Sequence, residues 1–177
     1  SRIGAVEPNR GHYALVEMEK QLLARSANFL LITQNVDGLH MKAGSQHILE
    51  IHGNIQRTKC AACLTPIVNW EEGSLSPPHC PKCDGLLRPD VVWFGESLPR
   101  NALTHAVEKS KDCEIFFSIG TSALVQPAAS LPVLALHAGA LVVEINLNPT
   151  PISQQVTYSF RGRSGDILPE IVRAAWE

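Results

Sequence analysis

Phe29-Leu30-Leu31-Ile32-Thr33-Gln34-Asn35-Val36-Asp37-Gly38-Leu39-His40 changes character once, between Thr33 and Gln34. Phe29 to Thr33 is a short apolar run of the kind shown by a parallel strand buried on both faces. It stops at a polar cluster, where a strand of such a sheet meets its ligand edge. Before it, following Pro8-Asn9, Leu15, Met18 and Leu22 recur at helical spacing up to about Arg25. After it, Ile48-Leu49-Glu50-Ile51 is a second strand candidate.

The same rhythm returns in the second half. Asp90-Val91-Val92-Trp93-Phe94 is expected as a strand stopping at Gly95. A helix is expected from about Arg100 to Ser110, with Leu103, Ala106, Val107 and Ser110 on one face. Glu114 to Ile119 reads as a strand running into Gly120-Thr121-Ser122, and Ala140 to Ile145 as another ending at Asn146. A helix should precede Gly139, punctuated by Pro127 and Pro132, and a last one should follow Asp166, with Pro169 in its first turn. Strands alternating with helices imply α/β: a Rossmann-like doubly wound parallel sheet. Polar groups gather at the strand ends, at Gln34, Asn35 and Asp37, at His52, at Thr121 and Ser122, and at Asn146.

Between these halves the composition shifts to Cys, Pro, Lys and Gly, which marks a small inserted zinc-binding module. The expected division is 1–56 and 90–177 for the two parts of the Rossmann-like domain and 57–89 for the module. Cys60-x2-Cys63 and Cys80-x2-Cys83 stand 16 residues apart. Two such turns each present a pair of thiolates to one tetrahedral ion, and a four-thiolate site leaves no open position, so Zn(2+) there is structural. The module has few large apolar residues, so the metal should supply much of its folding energy. Cys113, the fifth cysteine, lies in an apolar stretch and reads as a small buried hydrophobe.

Five places, in this order, resemble the NAD-dependent protein deacylases called sirtuins. They are Thr33-Gln34-Asn35-Val36-Asp37-Gly38-Leu39-His40, Ile51-His52-Gly53, the four cysteines, Val91-Val92-Trp93-Phe94-Gly95-Glu96, and Gly120-Thr121-Ser122 with Glu144-x-Asn146. The wording of the fourth place is similar to the bacterial, class III branch. The resemblance implies a chemistry in which an acyl-lysine carbonyl oxygen attacks C1′ of the nicotinamide ribose of NAD. Nicotinamide leaves, an alkylimidate forms, and a base activates a ribose hydroxyl to attack it. The products are deacylated lysine and O-acyl-ADP-ribose. Histidine suits that base because its unperturbed pKa lies near neutrality, and His52 is the match.

The remaining roles are likewise what the resemblance implies. Asn35 and Asp37 join His52 as catalytic residues. Gln34, Asn35, Val36 and Asp37 surround the nicotinamide and its ribose. Gly120, Thr121 and Ser122, then Asn146, Leu147 and Asn148, and last Ser164 meet the rest of NAD. Val91, Val92, Phe94, Gly95 and Glu96 hold an acyl-lysine protein or peptide, the backbone edge pairing with the extended chain. Phe94 is expected in the acyl tunnel, and at least one of Val92, Trp93 and Phe94 in the core. His40 and His47 should shape loops near the site, and His12, His79, His105 and His137 should be solvated or packed.

One expected part is missing from the sequence. Sirtuins carry an N-terminal strand with a Gly-Ala-Gly-x-Ser loop, then a Gly-Ile-Pro-x-Phe-Arg segment, which cradle the pyrophosphate. Neither occurs here, and most of the helical small-domain part is also absent. The expectation is a truncated product of a longer deacylase, binding NAD poorly by itself. Its acyl preference, acetyl or succinyl, is left open. Two other readings stay open: a non-catalytic, zinc-stabilised peptide-binding fragment, and a mono-ADP-ribosyltransferase.

Charge and hydropathy bound the rest. A net charge of −2 offers no polybasic surface, so no direct nucleic-acid partner is expected. No apolar run approaches the roughly 18 residues a membrane span needs. Ser1-Arg2-Ile3-Gly4 lacks the apolar region of a secretory signal. With unpaired thiols suited to a metal, this points to the cytoplasm. Oligomeric state is not legible.

Overall fold

The computed structural model describes residues 6–68 and 78–176. The Ser1–Gly4 reading lies outside them. Asn9 caps the first helix α1 (Arg10–Leu23), accepting the amides of Gly11 and His12, while the His12 ring accepts the Asn9 amide in return. β1 (Leu31–Thr33) follows, then a one-turn helix α2 (Leu39–Ala43) and β2 (Ile48–Glu50), parallel to β1.

β3 (Gly53–Cys60) is the centre of a three-stranded antiparallel sheet, with β4 (Pro66–Ile67) on one side and β5 (Leu87–Val91) on the other. β3 runs unbroken through residue 57, so the module and the α/β body share a strand. Then come α3 (Arg100–Asp112), β6 (Ile115–Ile119), a short 3-10 turn at Ala128–Ser130, α4 (Leu131–His137), β7 (Leu141–Asn146), β8 (Tyr158–Arg161) and α5 (Ser164–Trp176). β6, β7 and β8 form a parallel ladder.

Helices cover both faces of the parallel layer. On one face Leu15 and Met18 of α1 and Leu168 and Val172 of α5 pack on Leu31, Val143 and Ile145. On the other, Ala106 of α3 and Leu131 of α4 pack with Ala128, Ile51, Ile32 and Phe116. The doubly wound arrangement is therefore present, as two parallel ladders sharing the same cores. Among the described residues, β1 and β6 are not hydrogen-bonded to each other.

Four sequence expectations shift. The strand expected at Asp90–Phe94 is Leu87–Val91, because pairing ends when the Val92 amide donates to the His52 carbonyl (2.9 Å) and the chain turns at Gly95, φ +89°. None of Val92, Trp93 and Phe94 is buried, and Phe94 is 95% exposed. The last helix begins at Ser164, before Asp166, which places Pro169 inside it and removes the bond its amide would give Gly165. Cys113 is half-buried, its thiol donating to the Ser110 carbonyl.

Candidate active site and metal centre

The carboxyl end of β1 delivers Gln34 and the end of β2 delivers His52, and a chain of hydrogen bonds joins them to the second ladder. His52 Nδ1 lies 3.1 Å from the Gln34 carbonyl oxygen. A carbonyl only accepts, so Nδ1 carries the proton, and in the neutral ring Nε2 keeps its lone pair. Gln34 Nε2 donates to Thr121 Oγ1 (3.3 Å), and Asn146 Nδ2 donates to the Thr121 carbonyl (3.1 Å). Four expected site residues from four strand ends thus form one connected set. Gly53 explains why glycine follows the histidine. Its φ is +82°, and a Cβ there would stand 2.0 Å from the Asp90 carbonyl oxygen, so no side chain fits between β3 and β5.

The segment after Gln34 is held from below. The Asn35 amide donates to Thr33 Oγ1, the Ile55 amide to the Val36 carbonyl, and Gln56 Nε2 to the Asp37 carbonyl. Asp37 Oδ1 accepts the Leu39 amide at 2.9 Å and starts α2. Nearby, the rings of His12 and His40 lie 4.7 Å apart. Burial pushes both imidazoles below their ordinary value, His40 further through the charge of His12, while Asp37 opposes the shift in each. His12 was expected only to be solvated or packed. The structure sets it against this loop, because α1 starts beside α2. His47 is tied to the buried Glu19 of α1 by its ring and by its amide.

Gly120, Asn146, Leu147 and Ser164 line one open cavity of about 480 Å³. Thr121 adjoins it through its bond to Asn146. Ser122 and Asn148 are exposed and do not line it. Sequence reasoning missed Asn9, Arg10, Arg163, Gly165 and Asp166 in the same lining. Asn9 was legible as a helix cap, but nothing in the sequence shows that α1 and α5 begin against each other. A Cβ on Gly11 would come within 3.1 Å of the Ser164 backbone.

Val91 to Glu96 lies next to His52 through the bond from the Val92 amide. It forms a turn with Trp93, Phe94 and Gly95 exposed. No wall surrounds Phe94 among the described residues, so the acyl tunnel expected of it is not formed there. The Trp93 amide and then Arg88 hold the Glu96 carboxyl below its ordinary value.

At the far end of the β3–β5 pair, the sulfurs of Cys60, Cys63, Cys80 and Cys83 all lie within 4.8 Å of one another. Cys60 and Cys83 are 3.4 Å apart, and Cys63 and Cys80 3.8 Å. Tetrahedral zinc with bonds of about 2.3 Å sets its sulfurs about 3.8 Å apart. Amides of Ala62 and Cys63 point at Cys60 Sγ and that of Lys82 at Cys80 Sγ, which suits thiolates. A Cβ on Gly85 would press on Ala62 and on two of the sulfurs. The four cysteines are positioned to hold a zinc ion, and all four positions were legible from spacing.

These features define a class: a Rossmann-like α/β protein with four cysteines set for one metal ion, whose strand ends gather a histidine that, when neutral, keeps a lone pair on Nε2, and an open cavity of about 480 Å³. The Sir2 family profile matches residues 2–127. An NAD-dependent protein deacylase 1 of Caldanaerobacter subterraneus subsp. tengcongensis is 49% identical over 160 residues, covering 90% of this chain and 64% of that protein. An NAD-dependent protein deacylase of Thermus thermophilus is 46% identical over 162 residues, covering 90% and 63%. Among solved structures, a Sir2 homologue in complex with NAD superposes with a TM-score of 0.87 at 39% identity, covering 95% of this chain and 64% of that one. The chain belongs to the Sir2 family. It spans somewhat under two thirds of the length of these relatives.

Proposed function

We propose that this chain carries the base, the adenosine-side cavity and the peptide-docking turn of an NAD-dependent protein-lysine deacylase, removing acetyl or succinyl groups. The observation that carries the reading is the bonded set His52–Gln34–Thr121–Asn146, which ties the base to the nucleotide cavity. Relatives named NAD-dependent protein deacylases support it. So does a neighbour at 29% identity and TM-score 0.84, solved as Sir2 with a p53 peptide and NAD+.

NAD, when bound, supplies the ribose carbon that releases nicotinamide and the hydroxyl that receives the acyl group. The chain's own residues do the rest. Asn146, Leu147, Gly120 and Ser164 hold the adenosine side. Asn35 and Asp37 present amide and carboxylate to the carboxamide and ribose. His52 takes the hydroxyl proton at Nε2, while its Nδ1–H stays on the Gln34 carbonyl. Val91 to Glu96 docks an extended acyl-lysine peptide beside the base. Zinc stays structural. A thiolate metal site beside an unpaired Cys113 supports reading a reducing compartment, the cytoplasm, as its location. Among the described residues, no helix is long and apolar enough to cross a membrane.

The test is product analysis. Incubated with NAD and an acetyl- or succinyl-lysine peptide, the chain is expected to give nicotinamide, deacylated peptide and O-acyl-ADP-ribose in equal amounts. ADP-ribose on a protein side chain would instead mean mono-ADP-ribosyl transfer. Peptide binding without turnover by a folded, zinc-loaded chain would mean a docking fragment.

A further inference from the structure

We propose that Arg88 is the positioning residue for substrate, clamping the 91–96 turn into the shape that receives the acyl-lysine peptide. The inference rests on reading that turn as the docking segment. Arg88 lies on β5 opposite Lys59, one residue after Leu87, which faces Cys60. Its side chain is only 12% exposed, and it grips the turn at three points. One guanidinium nitrogen donates to the Val91 carbonyl (3.1 Å) and another to Glu96 Oε1 (2.7 Å), and the group lies 4.7 Å from the centre of the Trp93 ring. Glu96 closes the turn from its other end. Its Oε2 accepts the Trp93 amide (3.1 Å), and its own amide donates to the Trp93 carbonyl (2.9 Å).

The turn itself is otherwise thinly held. Trp93, Phe94, Gly95 and Glu96 are exposed, and Gly95 sits at positive φ. It is tied to the catalytic side by the Val92 amide on the His52 carbonyl, just beyond the Gly53–Val91 pair of the ladder. A flexible exposed turn loses entropy when a peptide pairs with it, and a turn already fixed loses less. Fork and stack together require arginine. A lysine ammonium offers charge without the planar fork, and so keeps only part of the grip. Because Arg88 holds the Val91 carbonyl while Val91 faces Gly53 in the ladder, the clamp also sets the docked lysine's register against His52.

Arg88→Ala and Arg88→Lys test this, with zinc content and thermal midpoint as controls. By hydrogen exchange, the amides of residues 92–96 are expected to exchange about tenfold faster in Arg88→Ala, and less so in Arg88→Lys, with residues 53–60 unchanged. By calorimetry, the Kd for an acetyl-lysine peptide is expected to rise about tenfold in Arg88→Ala, with Arg88→Lys between, while the Kd for NAD holds. A merely structural arginine would move both constants along with the midpoint. Unchanged exchange at 92–96, or an unchanged peptide Kd, overturns the proposal. A wild-type chain that binds no acetyl-lysine peptide removes the docking reading, and the clamp's role in docking falls with it. The exchange result would then show separately whether Arg88 orders the turn.

Discussion

Glu144 sits in the middle of β7, 1% exposed, two residues before Asn146. Burial by itself would raise its pKa. Donors from Thr150, Ser153, Ser159 and Arg161 outweigh that and bring it to about 2. These contacts tie the 147–157 connection and β8 to the strand carrying the cavity's asparagine. The folded pKa is depressed, so the stabilisation is whole above the ordinary value of 4.5 and is lost as pH falls towards 2. The difference corresponds to about 3 kcal/mol. In urea titrations, the stability of wild type is expected to fall over that window more steeply than that of Glu144→Gln. Parallel slopes would mean that the carboxylate is not held this way. At this scale the sequence read well where chemistry demands a residue type. The four thiolates were found from their spacing and the His-Gly pair from the family resemblance, and the structure adds that no side chain fits at Gly53. Glu144 was noticed only as part of a motif, since a buried acid is legible only through donors that lie far along the chain.

The β3–β5 ladder is the element that joins chemistry to metal. Cys60 faces Leu87 at one end, and Gly53 faces Val91 at the other, next to His52. A register shift between Asn54 and Thr58 interrupts the pairing, where Arg57 bonds Glu50 and Asp90, and Lys59 also bonds Asp90. Cys60→Ser, or chelation, is therefore expected to remove the single zinc per chain and to speed exchange through residues 58–68 and 78–91 by two orders of magnitude or more. The α1–α5 core should stay protected. Unchanged exchange and thermal stability in Cys60→Ser would show that the ladder does not depend on the metal. Long elements with a clear apolar period, such as α1, α3, β6 and β7, were legible to within a few residues. The turn at Val92–Glu96 was not, because its apolar residues, though exposed, mimic a strand in composition. β8 escaped for the reverse reason: its aromatics Tyr158 and Phe160 face outward, while Ser159 and Arg161 turn in to Glu144. The five-residue α2 carries no period at all and is defined by Gly38 and Gly44 at positive φ on either side.

Across the whole molecule, two parallel ladders share the cores beneath them and meet above through the Gln34–Thr121 bond. That meeting point lies at the strands' carboxyl ends, where His52, the cavity and the 92–96 turn converge from segments up to more than a hundred residues apart. The alternation of strands and helices made the layering legible. The split of the layer into two ladders was not, because hydrogen-bonded neighbours depend on what lies between strands and leave no mark on periodicity. The decisive measurement is the rate of NAD-dependent deacylation by wild type and by His52→Ala, at equal zinc content and thermal midpoint. If His52 Nε2 accepts the hydroxyl proton, the variant should lose about 10²- to 10⁴-fold in deacylated peptide. A variant that stays folded and deacylates at the wild-type rate would contradict the assignment of His52 as the base.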